Sequence, residues 1–330
     1  MDSWSKNDFY PFIINHFILF LATSIIGTII TLSSNSWWIG WLGMEINLLG
    51  FIILLVNNTN NESSLKYFLI QSLRSVILIR SALLTENFSS KKLQLLITLA
   101  LFLKLGTAPL HFWLPAIIEN LTNYQLLFLL TWQKIAPLYL LFTLPFQKIT
   151  VIFIISRLII GAVGSINELR LYSLLTYSSI NHTGWVLLTM LSNEIVSIIY
   201  LIVYTIMVTV ILLPINNKTN QSIWLLKNSN KYFIFLNLLS LAGLPPFAGF
   251  LIKWILLSEI FSYLNLIINI VIVLTRIILL YFYLRITINR FFKNELYLIN
   301  FLKVKQENIT ALRLLNLTII FILIIYVSSI

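Results

Sequence analysis

Lys104-Leu-Gly106-Thr-Ala-Pro109-Leu-His111-Phe-Trp113-Leu-Pro115 interrupts an apolar stretch that begins near residue 93. A second interruption, Leu241-Ala-Gly243-Leu-Pro245-Pro246-Phe-Ala-Gly249-Phe-Leu-Ile-Lys253-Trp254, falls inside another. Proline removes a backbone donor and crowds the preceding turn. In hydrocarbon a broken helix persists only where protein or water serves the freed groups. Each break places a glycine three residues before a proline, Gly106 before Pro109 and Gly243 before Pro246, with a lysine close by. Paired interrupted helices of this kind point to an inverted repeat with its site near mid-membrane.

Composition supports a membrane reading for the whole chain. Of 330 residues, 59% are hydrophobic and 10% are charged, with a mean hydropathy of +0.92. A soluble domain carries about 25% charged residues. There is no cysteine, which excludes disulfides, thiolate-held iron–sulfur clusters and zinc–cysteine sites. Three histidines, His16, His111 and His182, are too few to suggest a haem or a di-metal centre. Neither a P-loop nor a dinucleotide fingerprint is present, so redox chemistry is expected in partner chains. The net charge of +11 comes mostly from loops between apolar segments, so nucleic acid is not the expected partner.

About 20 apolar residues cross a bilayer. On that scale the chain reads as an all-α polytopic membrane protein with about eleven transmembrane helices, and residues 1–330 form one domain. The expected spans are 11–32, 36–56, 65–84, 93–111, 124–144, 149–168, 172–191, 194–213, 232–257, 262–284 and 311–329. The N-terminal side collects Lys6, Lys66, Arg170, Lys218, Lys227, Lys231, Arg285, Arg290, Lys293, Lys303, Lys305 and Arg313, whereas the other collects Lys91, Lys92 and Lys148. The asymmetry places the N-terminal side in the cytoplasm or the mitochondrial matrix, and the C-terminus opposite.

Four ionisable residues sit at membrane depth: Glu45, Lys104, Lys134 and Lys253. Unpaired and dry, each costs roughly 2.5–3.5 kcal/mol on insertion scales, about 10–14 kcal/mol together. Glu45 lies near the middle of its span and is the sole acidic residue expected there. Lys134, in Thr131-Trp-Gln-Lys134-Ile-Ala-Pro137, is too deep to snorkel. Desolvation disfavours the charged form of an amine, so a lysine at that depth is a group whose proton can be exchanged. The alternative is a structural ion pair for each. The four together point to a path for protons, with Lys66, His111 and His182 as secondary candidates.

Several strings carry a family resemblance: Gly43-Met-Glu45-Ile-Asn47, Ser64-Leu-Lys66-Tyr-Phe68, Lys104-Leu-Gly106, Pro109-Leu-His-Phe-Trp113, Leu130-Thr-Trp-Gln-Lys134-Ile-Ala-Pro137, Tyr177-Ser-Ser-Ile-Asn-His182-Thr-Gly-Trp185 and Gly243-Leu-Pro-Pro-Phe247. From about residue 25 to about residue 290 the chain resembles the NADH:ubiquinone oxidoreductase (respiratory complex I) chain 2 family of animal mitochondria, the insect members most of all. The resemblance implies an antiporter-like fold with inverted repeats and two discontinuous helices. It implies a core subunit in the mitochondrial inner membrane, N-terminus in the matrix and C-terminus in the intermembrane space. Protons would move outward through this chain, while NADH, FMN, iron–sulfur clusters and ubiquinone are handled by other subunits. No cofactor is expected on this chain. Expected partners are neighbouring antiporter-like and small membrane-arm subunits and phospholipids. By motif, Glu45 is the carboxylate that pairs with a lysine, Lys66 being one candidate. Lys104 and Lys253 are the lysines at the two broken helices, and Lys134 is the central relay lysine. The alternatives are a subunit of a multi-chain cation/proton antiporter and a structural spacer in the membrane arm.

The chain departs from that pattern at Arg74, Arg80, Arg157 and Arg276, which fall in spans where the family usually has small or apolar residues. Methionine is scarce, at 4, while isoleucine abounds. Both features are expected when a mitochondrial gene that reads AGA/AGG as serine and AUA as methionine is written in the standard code. The mass of the peptide that contains residue 74, taken from the natural protein, checks this. Serine is the expected result, and an arginine mass would place a guanidinium in the span.

Overall fold

The computed structural model describes residues 6–56, 62–87, 91–118, 121–145, 148–168, 170–213, 228–245, 247–261 and 266–292. The described residues form helices and turns, without a β-sheet, as the sequence leads one to expect. The chain divides into two compact units, residues 1–147 and residues 148–330. The expected span 311–329 lies outside the described residues, as do Lys218, Lys227, Lys293, Lys303, Lys305, Arg313 and Pro246.

The first unit opens with α1 (Lys6–Leu32) and α2 (Trp37–Val56), which pack along one another. Glycines permit the close approach. A Cβ at Gly27 would lie 2.5 Å from the Asn47 backbone nitrogen, and one at Gly43 would lie 2.7 Å from the Gly27 carbonyl oxygen. Where lipid is as apolar as leucine, such close backbone packing is what holds helices together. Next come α3 (Glu62–Asn87) and α4 (Lys91–Lys104). After a break come α5 (Trp113–Ile118), α6 (Asn123–Leu130), a 3₁₀ turn at Trp132–Lys134, and α7 (Ile135–Phe142). Thr122 starts α6: its backbone N–H donates to the Gln125 side chain at 3.0 Å, and the Gln125 amide in turn donates to the Leu54 carbonyl at 2.5 Å.

The second unit contains α8 (Lys148–Gly164), α9 (Leu171–Thr189), α10 (Glu194–Leu212), α11 (Asn228–Ala242), α12 (Ala248–Ile260) and α13 (Leu266–Phe292). Nearly every residue of α9 is buried, so this helix is the unit's centre. Asn181 supports it on both sides. Its amide donates to the Leu158 carbonyl of α8 at 3.1 Å, and it accepts from the Trp185 indole at 2.9 Å.

Among the described residues, five stretches are long and apolar enough to cross a membrane: Trp37–Val56, Glu62–Thr85, Asn123–Phe142, Glu194–Leu212 and Ile268–Arg285, with shorter apolar helices at Ile18–Leu32 and Thr150–Gly164. Serine and threonine hydroxyls inside them turn back onto carbonyls three residues earlier, for example Thr28 on Ile25, Ser75 on Ser72 and Ser81 on Leu78. Each hydroxyl thereby satisfies itself locally.

Three expected spans are not continuous helices. The span 93–111 stops at Lys104, 124–144 is interrupted at Trp132–Lys134, and 232–257 is two helices, α11 and α12. The two terminating breaks share one construction. Gly106 (φ +67°) follows α4, where Thr107 N–H donates to the Phe102 carbonyl and Gly106 N–H to that of Leu103. Gly243 (φ +82°) follows α11, where Leu244 N–H donates to the Leu239 carbonyl and Gly243 N–H to that of Ser240. Both are Schellman caps with glycine in the left-handed position that L side chains avoid. A window of hydropathy reads straight through such a stop, because the residues around it stay apolar.

At the second break Gly249 brings α12 onto α11, and a Cβ there would lie 1.8 Å from the Ser240 carbonyl oxygen. Gly249→Ala therefore forces the helices apart and is expected to destabilise the chain by about 1–3 kcal/mol or more. Thermal stability of the assembled protein checks this, and an unchanged melting profile contradicts it.

Candidate functional site

In the first unit two of the membrane-depth lysines come to one place. Lys104, the last residue of α4, and Lys134, the last of the 3₁₀ turn, are both buried. Both line a cavity of about 30 Å³ shared with Asn47, Tyr67, Gln71 and Gln133. A single water needs roughly 10–15 Å³ by that measure together with polar partners, so the space suits about two.

Lys134 owes its position to Pro137. With no N–H, the proline cannot bond the Gln133 carbonyl four residues back, so the helix tightens into a 3₁₀ turn there. Thr131 closes the preceding segment by donating its hydroxyl to the Leu127 carbonyl at 2.7 Å.

Glu45 reaches the Lys104 ammonium at 3.6 Å from α2, and its side chain is 23% exposed while that of Lys104 is 5% exposed. Lys66, the other candidate partner of Glu45, lies elsewhere. It pairs with Glu62 at 2.6 Å on the exposed start of α3. His111 sits in the first break, buried, with Nδ1 donating to the Pro109 carbonyl at 3.2 Å.

Three polar residues not singled out as site residues from the sequence complete this region. The Gln133 amide donates to the Asn47 side-chain oxygen at 2.9 Å, and the Tyr67 hydroxyl donates to the Gln133 side-chain oxygen at 3.4 Å. Their signal was present, since Asn47 is two residues past Glu45 and Gln133 directly precedes Lys134.

In the second unit Lys253 is 2% exposed and projects from α12 onto the end of α11. Its ammonium donates to the Leu241 carbonyl at 2.7 Å and to that of Ala242 at 3.4 Å. These are the two carbonyls that the Schellman cap at Gly243 leaves over. A neutral amine still carries two N–H donors, one for each carbonyl. Lys253 can thus hold the helix end in either protonation state. His182, on α9, is 2% exposed and its Nδ1 lies 2.7 Å from the Tyr200 hydroxyl, with the Tyr204 ring 4.9 Å away.

The four in-span arginines divide. Arg276 donates to the Gly243 carbonyl at 3.5 Å and lies over the Phe250 ring, Arg74 lies over the Trp113 ring at 4.7 Å, Arg157 is fully buried in α8, and Arg80 is exposed. Among the described residues no group of three or more His, Asp or Glu side chains is placed to hold a metal ion.

A membrane-embedded bundle with two helices stopped beside buried lysines defines an antiporter-like fold, and comparison with known proteins agrees. The family model described as NADH:quinone oxidoreductase/Mrp antiporter, TM, matches residues 34–279. Among solved structures, respiratory complex I from Thermus thermophilus with bound aureothin contains a chain with a TM-score of 0.73 at 22% identity, covering 82% of this chain and 69% of that one. The Mrp complex from Dietzia sp. DQ12-45-1b gives 0.71 at 19% identity, covering 81% and 59%. NADH-ubiquinone oxidoreductase chain 2 of Anopheles gambiae is 41% identical over 293 residues, 84% of this chain and 86% of that protein. Its counterpart from Aedes aegypti is 39% identical over 319 residues, 90% and 93% respectively. The chain belongs to the NADH-ubiquinone oxidoreductase chain 2 family, and it is a multi-pass membrane protein.

Lys253 serves as a test of the second break. Lys253→Met leaves two buried carbonyls without donors, at about 1–3 kcal/mol each, whereas Lys253→Arg keeps donors in reach. The expected order of thermal stability in the assembled complex is Lys, then Arg, then Met. A Met variant as stable as the natural chain contradicts the capping role.

Proposed function

We propose that the chain is a core, proton-translocating membrane subunit of mitochondrial NADH:ubiquinone oxidoreductase. It moves protons from the matrix to the intermembrane space, with its N-terminus in the matrix and its C-terminus in the intermembrane space. NADH, FMN, iron–sulfur clusters and ubiquinone belong to other subunits, and no redox group is held here. Its partners are other membrane-arm subunits and the surrounding phospholipid. The observation that carries this reading is the cavity in which Lys104 and Lys134 meet, with Glu45 paired to Lys104 at its edge.

The site works as a set of exchangeable charges. Glu45 stabilises the ammonium of Lys104 when the two are close, because attraction between unit charges is strong where water is excluded. Coupling that lengthens the 3.6 Å contact releases a proton from Lys104. Water in the cavity carries it to Lys134. In the second unit Lys253 exchanges a proton without giving up the helix end it caps. His182 beside Tyr200 and His111 at the first break are secondary stations. Lys66, exposed and paired with Glu62, fits a role at the membrane surface. Residues 1–330 act in this proposal as one translocating domain.

A second reading, a subunit of a multi-chain cation/proton antiporter, is favoured by the likeness to the Mrp complex. Co-purification with NADH-oxidising subunits separates the two. A structural spacer would need no shared polar cavity around Lys104 and Lys134.

Lys134→Met in the intact complex, reconstituted in vesicles, is expected to lower the protons moved per NADH oxidised by this subunit's whole share. Full stoichiometry in that variant contradicts the relay.

A further inference from the structure

Gln133 occupies a place that the relay itself does not explain. Its side chain joins three elements: the turn that carries Lys134, α2 through Asn47, and α3 through Tyr67. Asn47 is 3% exposed and Tyr67 2% exposed, while Gln133 between them is half-buried, so both hydrogen bonds are partly shielded from solvent. Asn47 follows Glu45 by two residues on the same helix, and its backbone is pressed against α1 at Gly27. Pro137 leaves the turn without the ladder bond that would otherwise fix the Gln133 backbone. A side-chain tie therefore has more influence on this turn than on an ordinary helix.

We propose that Gln133 is a positioning residue that couples the helix bearing Glu45 to the turn bearing Lys134. The proposal rests on the relay reading and deepens it. A displacement of α2 that opens the Glu45–Lys104 pair pulls on Asn47. Asn47 pulls on the Gln133 amide, and the Lys134 turn shifts with it. One rigid planar group thereby links the event at the carboxylate to the orientation of the receiving amine. Tyr67 donates its hydroxyl to the other end of the amide at 3.4 Å. All three side chains line the cavity, so the same tie also orders the polar wall along which a proton would pass.

The test uses the complete complex in sealed vesicles, with protons moved per NADH oxidised measured across a range of pH. Gln133→Leu keeps the bulk and removes both hydrogen bonds. It is expected to lower the protons moved per NADH oxidised by most of the share that Lys134→Met removes, and to change the pH profile of pumping. The exchange pair Asn47→Gln with Gln133→Asn preserves the summed reach of the two amides and is expected to restore both readouts. Tyr67→Phe is expected to give a smaller loss in the same direction. If Gln133→Leu fails to assemble, the exchange pair and Tyr67→Phe decide. Wild-type stoichiometry and pH profile in Gln133→Leu, no effect in Tyr67→Phe, or an exchange pair that restores nothing overturns the coupling. Lys134→Met is the reference. If it leaves pumping intact, the relay reading fails. If it removes this subunit's share while Gln133→Leu leaves that share unaltered, only the coupling fails.

Discussion

In hydrocarbon no water is at hand to satisfy a backbone carbonyl or an ammonium, so each must be served from within the protein. The second break shows this constraint most plainly. Ending α11 at Gly243 frees the carbonyls of its last turn. The Schellman bonds take two of them, and the Lys253 ammonium takes the Leu241 and Ala242 carbonyls. The charge and the break each need the other. A lysine without those carbonyls would be a bare cation in an apolar interior, and carbonyls without the lysine would be orphans. The first break has the same glycine cap, and its lysine is balanced instead by a carboxylate, Glu45.

The two lysines therefore sit in different electrostatic surroundings. Lys253 is held by the neutral carbonyl dipoles of Leu241 and Ala242, with the Arg276 guanidinium on the neighbouring Gly243 carbonyl. Lys104 is held by a charge on a neighbouring helix, and attraction to a charge changes steeply with distance where the dielectric is low. The attraction between Glu45 and Lys104 therefore weakens if their two helices move apart. A cavity with room for water leads from it to Lys134. Pro137 and the 3₁₀ turn set Lys134 facing that cavity rather than an i−4 neighbour in a regular helix.

Much of this was legible in the residues. The long apolar runs announced a membrane bundle, and the family assignment confirms the antiporter-like fold. The spacing of Gly106 to Pro109 and of Gly243 to Pro246 marked both breaks. What the sequence could not reveal was which groups approach one another through space. On the sequence Lys66 is the candidate partner for Glu45, whereas folding places Lys66 beside Glu62 and Lys104 beside Glu45. The span 232–257 read as one helix because hydropathy averages over a backbone stop. Gln133 and Asn47 were overlooked because uncharged amides raise no alarm in a hydropathy profile, although a buried amide requires partners as firmly as an ion does.

The relay reading holds that buried amines exchange protons through water rather than merely bracing the bundle. The most direct measurement is a map of the intact complex at a resolution that shows ordered solvent. Water bridging the Lys104 and Lys134 amines through the cavity of about 30 Å³ is the result expected. A dry cavity closed by side-chain repacking, with the two amines held only by protein carbonyls, would contradict it.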